Sequence, residues 1–308
     1  MKTEFIKIGE GSEFPLNGKL VLPSDTSERV PAVVFVHGSG SSNMDEKVLK
    51  LTPFKDLAEG MAERGIASVR YDKRSFVYGR KIVKKGEALT VKEETIEDAI
   101  KAADLLRKDS RIDPEKIFIV GHSMGAMLAP RIDAEGGNLR GLVLMAGTPR
   151  KIEDILFDQF DAMQENANFF TKLALNGQIK KFRKLFESSD SLSDEEAKKT
   201  NYGGGATMYY FREMGRKTPG EYLMESDKPV LILQGSADFQ VDSVKDFEKF
   251  KEVLKDRPNV SYKLFDGLNH CFVQTLGCSI MQVQKEYGKE RHIPAEVFDT
   301  IADWIKEQ

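Results

Sequence analysis

The 308-residue sequence predicts an α/β fold: a mostly parallel central sheet flanked by helices, with one helical insertion. Three observations carry the prediction. Short apolar runs alternate with stretches of helical apolar spacing, the pattern of parallel strands joined by crossover helices. Two apolar segments near the N-terminus flank a turn-rich stretch, as in an antiparallel edge hairpin. A long central interval keeps the helical spacing but has no convincing strand.

In chain order, residues 5–8 and 19–22 are the hairpin segments around the Gly-rich stretch 9–18. The run 31–36 predicts a buried strand, followed by 66–71, 117–120, 142–146, 230–233 and 260–265; such apolar runs suit strands covered on both faces. Between them, Phe54, Leu57, Ala58 and Met61 recur at helical spacing, as do Ile96, Ala99, Ile100, Ala103 and Leu106. Val244, Phe247, Phe250 and Leu254 repeat the pattern. Pro294 fits the first turn of a last helix that buries Val297, Ile301, Trp304 and Ile305. Within the interval, Ile152, Leu156, Phe160 and Met163 form one stripe and Ile179, Phe182 and Phe186 another. Residues 188–199 are polar there, and Gly203 to Gly205 read as a flexible break. The predicted organisation is therefore a core of residues 1–147 and 227–308 and a helical cap insertion of residues 148–226.

Composition narrows the function. Against 46 basic and 49 acidic residues the net charge is −3, with the signs interspersed, so nothing points to nucleic acid or an anionic membrane as partner. A small, neutral or weakly charged substrate is expected. The N-terminus lacks an apolar run of signal-peptide length, and no segment approaches the uninterrupted apolar length of a spanning helix, so the chain reads as soluble and cytoplasmic. Cys271 and Cys278 make no disulfide framework; they read as free thiols, with a local bridge left open. No cluster of ligands suggests a metal.

The most informative motif is Gly121-His122-Ser123-Met124-Gly125, which follows the apolar run 117–120 and precedes a helical stretch with Leu128 and Ile132. Strand, sharp turn and helix are the context in which such a serine is presented as a nucleophile. The glycines permit the turn, and the helix N-terminus favours developing negative charge. A serine hydroxyl needs a base. Of four histidines, His122 lies inside the turn, His37 in a glycine-rich loop, and His292 in a charged tail, whereas His270 follows the last strand through Asp266-Gly267-Leu268-Asn269. His270 is the expected base, since α/β sites form at strand C-terminal ends. The acid that orients it is expected to be Asp238, past the run 230–233. Asp242 reads instead as a helix N-cap and Asp266 as a turn residue. The oxyanion is expected to meet the backbone N–H of Met124 and that of Ser39 in His37-Gly38-Ser39-Gly40.

On these residues, together with Arg70-Tyr71-Asp72-Lys73-Arg74 and Leu231-Ile232-Leu233-Gln234-Gly235, the chain resembles the α/β-hydrolase superfamily. More narrowly it resembles bacterial dienelactone-hydrolase-like and cinnamoyl-esterase-like serine esterases with a short cap. The order Ser123, Asp238, His270 is the family's order, and the resemblance spans nearly the whole core. In the insertion, Gly203 to Phe211 is similar to a glycine-then-aromatic segment of bile-acid acyltransferase-like hydrolases. Those acyltransferases, and dienelactone hydrolases proper, carry cysteine where this chain has Ser123, so acyl transfer to amino acids is not implied.

The resemblance implies hydrolysis of a small-molecule carboxylic ester through an acyl-enzyme, with no metal or organic cofactor. A thioesterase or amidase would use the same three residues. A noncatalytic binding protein on this fold would be expected to lack one of them. In the insertion, Tyr209 and Tyr210 are candidate substrate contacts, and the charge-flanked helices predict that little apolar surface remains for a lipid interface. Short, compact or aromatic acyl groups are the expected substrates.

Overall fold

The computed structural model describes residues 1–83, 87–189, 191–203 and 206–308. Gly204 and Gly205 of the expected glycine break lie outside the described residues. The strands are β1 (Lys2–Ile8), β2 (Leu16–Leu22), β3 (Val30–Val36), β4 (Ala67–Tyr71), β5 (Ile112–His122), β6 (Gly141–Met145), β7 (Asn201–Gly203), β8 (Ala206–Thr207), β9 (Val230–Gly235) and β10 (Val260–Phe265). Eight of them form one sheet in the order β1-β2-β4-β3-β5-β6-β9-β10, while β7 and β8 pair only with each other. The β1–β2 and β2–β4 pairs are antiparallel, and every other pair of the large sheet is parallel.

The helices between β3 and β6 are α1 (Pro53–Glu63), α2 (Arg74–Tyr78), α3 (Glu97–Lys108) and α4 (Met124–Ile132). Those between β6 and β9 are α5 (Ile152–Asn166), α6 (Phe169–Ser189), α7 (Asp194–Lys199), α8 (Met208–Met214) and α9 (Pro219–Met224). α10 (Lys245–Val253), α11 (Val283–Tyr287) and α12 (Ala295–Glu307) complete the chain. The core forms in two layers because β3 presents alternate residues to each side. Ala32, Val34 and Val36 pack with Ala99, Ala103 and Leu106 of α3 and with α4. Val33 and Phe35 pack in the layer that holds Phe54, Leu57 and Met61 of α1 and Val297, Ile301 and Trp304 of α12. Both faces are dry, so the strand sequences read as unbroken apolar runs.

Strand order fixes where a site can form. From β3 the chain crosses to β4 on one side and returns to β5 on the other, so the loops leaving β3 and β5 diverge at their carboxyl ends and open a crevice.

Several elements differ from expectation for identifiable reasons. β5 begins at Ile112, before the polar stretch Asp113-Pro114-Glu115-Lys116, and reaches β3 across a register shift between Val30 and Ala32. β10 is the sheet's edge rather than a buried strand, and only Phe265 of it is buried. Val244 precedes α10 and is 73% exposed; the buried face belongs to Phe247 and Phe250. Pro294 caps α12 in extended backbone, one residue before the first turn. In α5 the buried residue is Ile155, while Phe169, Phe170 and Leu173 at the start of α6 are largely exposed. The expectation that helix docking uses up the apolar side of this segment is therefore wrong for α6.

Candidate active site

Ser123 sits between β5 and α4 with φ 54° and ψ −119°, a left-handed backbone that costs an L-residue roughly 1–3 kcal/mol. Tight packing holds it there. A Cβ on Gly125 would lie 2.0 Å from the Val36 carbonyl oxygen, and one on Gly121 would lie 2.3 Å from that of Gly125, so a side chain at either position would push the turn off β3. The Ser123 N–H donates to Met145 O at 2.8 Å, and its carbonyl accepts the first helical bonds from Ala126 and Met127. The hydroxyl is left at the N-terminus of α4 and at the crevice end of the sheet.

The loop after β3 packs on this turn: a Cβ on Gly38 would be 3.2 Å from Ser123 Cβ. Gly38 N–H donates to Glu46 Oε1 at 2.7 Å, which removes it as an oxyanion donor. The N–H groups of Ser39 and Met124 find no acceptor among the described residues.

His270 follows β10, and its Nδ1 lies 2.8 Å from Asp238 Oδ2; the two side chains are 6% and 0% exposed. Asp238 is held in turn, since Oδ1 accepts the N–H groups of Gln240 (2.7 Å) and Val241 (3.0 Å) and Oδ2 accepts Gln234 Nε2 (2.9 Å). Hydrogen bonds this numerous fix the carboxylate's orientation, and through it the imidazole's tautomer. The rival acids do other work. Asp242 accepts the N–H groups of Val244 and Lys245 at 2.8 Å each, and Asp266 accepts Ser236 Oγ at 3.0 Å.

His122 joins the pieces. Its Nε2 is 2.8 Å from His270 O and its Nδ1 is 3.0 Å from Glu46 Oε2. Burial works against its charged form, but the Glu46 carboxylate outweighs that and holds the imidazole above its ordinary value. Burial also opposes ionisation of Glu46, yet His122 keeps the carboxyl below the usual range. His37, with Nε2 3.0 Å from Asn43 O, is pushed by burial down to about 4, against the pull of Glu46. His292 is exposed beside Asp56, at 3.2 Å. Glu46, in a polar loop, has no motif signal in the sequence, whereas Gln234 falls in the run Leu231-Ile232-Leu233-Gln234-Gly235, where an amide ending an apolar strand is the cue.

A cavity of about 440 Å³ lies beside Met124. The core contributes Ser39, Ser75, Glu94 and Met124 to its walls, and the segment between β6 and β9 contributes Ile152, Leu156, Tyr202, Tyr210 and Phe211. Ser123 and His270 are not among these walls. Tyr210 lines the cavity, with its hydroxyl 2.6 Å from Glu94 Oε2. Tyr209, the other expected contact, does not: its ring packs under Lys198 and Arg216, 5.1 and 5.7 Å from the ring centre. Both cysteines are free. Among the described residues no three His, Cys, Asp or Glu side chains are grouped to hold a metal, and no helix is long and apolar enough to cross a membrane.

With this geometry in place, the model of the serine aminopeptidase S33 family matches residues 27–274. The chain belongs to that family. It is 34% identical over 290 residues to Esterase EstD of Thermotoga maritima, which covers 94% of this chain; the chain spans 65% of that relative's length. Similar solved structures include a puromycin-hydrolyzing peptidase of Mycobacterium tuberculosis (TM-score 0.60, 18% identity, 99% of this chain and 39% of that one). Est1E of Butyrivibrio proteoclasticus follows (TM-score 0.56, 16% identity, 98% and 96%), as does an esterase of Pyrococcus furiosus (TM-score 0.59, 17% identity, 99% and 91%). At these identities the likeness is one of fold, and the fold of this S33 family member is the α/β-hydrolase fold.

Proposed function

We propose that the chain hydrolyses carboxylic esters of small to medium acyl groups, including aromatic ones, through an acyl-enzyme on Ser123. The observation that carries the reading is the suspension of His270 between two partners, Asp238 on its ring and His122 of the serine turn on its carbonyl. In this mechanism His270 Nε2 takes the proton as Ser123 Oγ attacks the ester carbonyl, and Asp238 stabilises the imidazolium. The N–H groups of Ser39 and Met124 receive the oxyanion. Collapse expels the alcohol, which takes the proton from His270. Water then attacks the acyl-enzyme by the same steps in reverse and releases the acid. No cofactor enters. Residues 148–226 act as the cap of a core made of 1–147 and 227–308, and the aromatic rings they bring to the cavity support acyl groups of compact shape. The likeness to Esterase EstD supports the ester bond.

The family's description favours a second reading, cleavage of an aminoacyl amide by the same residues. A panel of p-nitrophenyl esters of graded acyl length, hydroxycinnamoyl esters, acyl thioesters and aminoacyl arylamides separates the two. The first reading predicts turnover of the short and aromatic oxygen esters above all others. Arylamide turnover exceeding that of every ester would replace it with the second.

A further inference from the structure

Lys73, in the turn between β4 and α2, is a lysine inside the core, 1% exposed. Its Nζ donates to the carbonyl oxygens of Gly38 and Gly40, each at 3.0 Å, and stands 3.3 Å from Glu94 Oε1. Two of the ammonium's donors thus meet carbonyls, and its charge is balanced by the Glu94 carboxylate. The other Glu94 oxygen accepts the Tyr210 hydroxyl at 2.6 Å, and that hydroxyl is also 3.6 Å from Met124 Sδ. A chain of polar contacts thus runs from α8, through Glu94 and Lys73, to the two carbonyls that flank Ser39.

Peptide geometry gives this chain a consequence. The Gly38 carbonyl and the Ser39 N–H belong to one peptide plane, and in a trans peptide they point in opposite directions. A cation that draws the Gly38 oxygen to one side therefore aims the Ser39 N–H to the other. The second bond, to Gly40 O, fixes the peptide that follows Gly40, the residue at which the loop turns through φ +81°. Gly38 N–H is anchored to Glu46, so the loop is tied on both sides of the amide that remains free.

From this geometry, and resting on the serine-hydrolase reading above, we infer that Lys73 is the positioning residue of the oxyanion hole, and that Glu94 and Tyr210 couple its placement to the segment between β6 and β9. Lys73 touches no reacting atom. It acts by holding the Ser39 amide where the oxyanion forms, and Tyr210 makes that hold depend on the seating of α8.

The test compares Lys73→Met, Glu94→Gln, Tyr210→Phe and Lys73→Met/Tyr210→Phe with the unaltered chain. Active sites are first titrated with a fluorophosphonate; kcat and KM for p-nitrophenyl acetate and Ki for phenylboronic acid, whose tetrahedral adduct places an oxygen in the hole, then follow. Lys73→Met is expected to lower kcat per titrated site by roughly 100-fold with KM changed less than about two-fold, and to weaken phenylboronate in parallel. Tyr210→Phe is expected to lose a smaller factor, and the double variant no more than Lys73→Met alone, because both break one chain. A merely structural lysine would lower the melting temperature and the titrated fraction, leaving kcat per site and the boronate Ki unchanged; that result overturns the inference. Additive losses would overturn the coupling. Should Lys73→Met fail to fold, Glu94→Gln and Tyr210→Phe are judged by the same two constants. An unaltered chain that takes no label at Ser123 overturns the hydrolase reading itself, and no pattern among the variants resembles that outcome.

Discussion

His122 Nε2 lies 2.8 Å from the carbonyl oxygen of His270, so the residue beside Ser123 holds the backbone of the residue expected to activate it. Glu46 Oε2 stands 3.0 Å from the other ring nitrogen of His122 as an ion-pair contact without hydrogen-bond geometry. The carboxylate's charge favours the imidazolium. Glu46→Gln removes the charge that sustains that form, and roughly 10- to 100-fold of kcat should be lost as the two turns loosen, since small misplacements of reacting groups cost that much. Steady-state kinetics with a matched melting curve checks this. An unchanged kcat in the folded variant contradicts the bracing role.

Asp238→Asn should lower kcat by about three to four orders of magnitude, because the amide cannot both hold the Nδ1–H tautomer and stabilise the imidazolium. Asp242→Asn and Asp266→Asn should stay within a few-fold of the unaltered chain, as asparagine serves nearly as well as aspartate at a helix cap or a turn. Full activity in Asp238→Asn, with loss in either of the others, would reassign the acid.

Stability should depend on pH through His37. Its folded value of about 4 lies below the ordinary histidine value, so from about pH 6.5 down to about pH 4 the unfolded chain binds a proton that the folded chain refuses. Stability attributable to His37 is thus present above that window and falls as pH falls through it, by about 3 kcal/mol in all. His122 has the opposite sign: its raised value means its contribution is held at and below the ordinary histidine value and lost as pH rises through the folded one. Chemical denaturation at several pH values, for the unaltered chain and His37→Asn, should show a shallower acid slope in the variant. Equal slopes contradict the assignment.

Cys271 follows His270 directly, yet burial, followed by the fields of Glu46 and Asp238, pushes its thiol well up. The thiolate is the reactive form. Iodoacetamide at neutral pH should leave Cys271 unmodified in the folded protein and alkylate it after denaturation, as read by peptide mass. Fast alkylation of the native chain would contradict the buried placement.

The sheet is legible in the sequence because strands covered on both faces must be apolar throughout, as 31–36 and 230–233 are. β10 misleads the same reasoning: its apolar residues pack as an edge, where one side has no neighbouring strand. β5 is longer than its apolar run because the stretch Asp113-Pro114-Glu115-Lys116 crosses a register shift, where polar residues face water. The residues of the site that a motif encodes, Ser123 and the glycines around it, can be read directly. The roles of Lys73, Glu94, Glu46 and Gln234 cannot, since each acts through a partner at least four and as many as 116 residues distant; Lys73 and Gln234 fall in runs that carry the resemblance, which do not say what the side chains touch. The segment 148–226 is the least legible. An apolar stripe on a helix records that something covers it, and does not distinguish the core from a cavity, as Ile152 and Leu156 demonstrate.

Ser123 as the nucleophile is tested most directly by intact-protein and peptide mass spectrometry after reaction with a fluorophosphonate, alongside p-nitrophenyl acetate turnover. One adduct per chain, on Ser123, forming in proportion to the loss of turnover and absent from a folded Ser123→Ala variant, is the predicted result. Turnover that persists in Ser123→Ala, or an adduct on another residue that accounts for the inactivation, would contradict it.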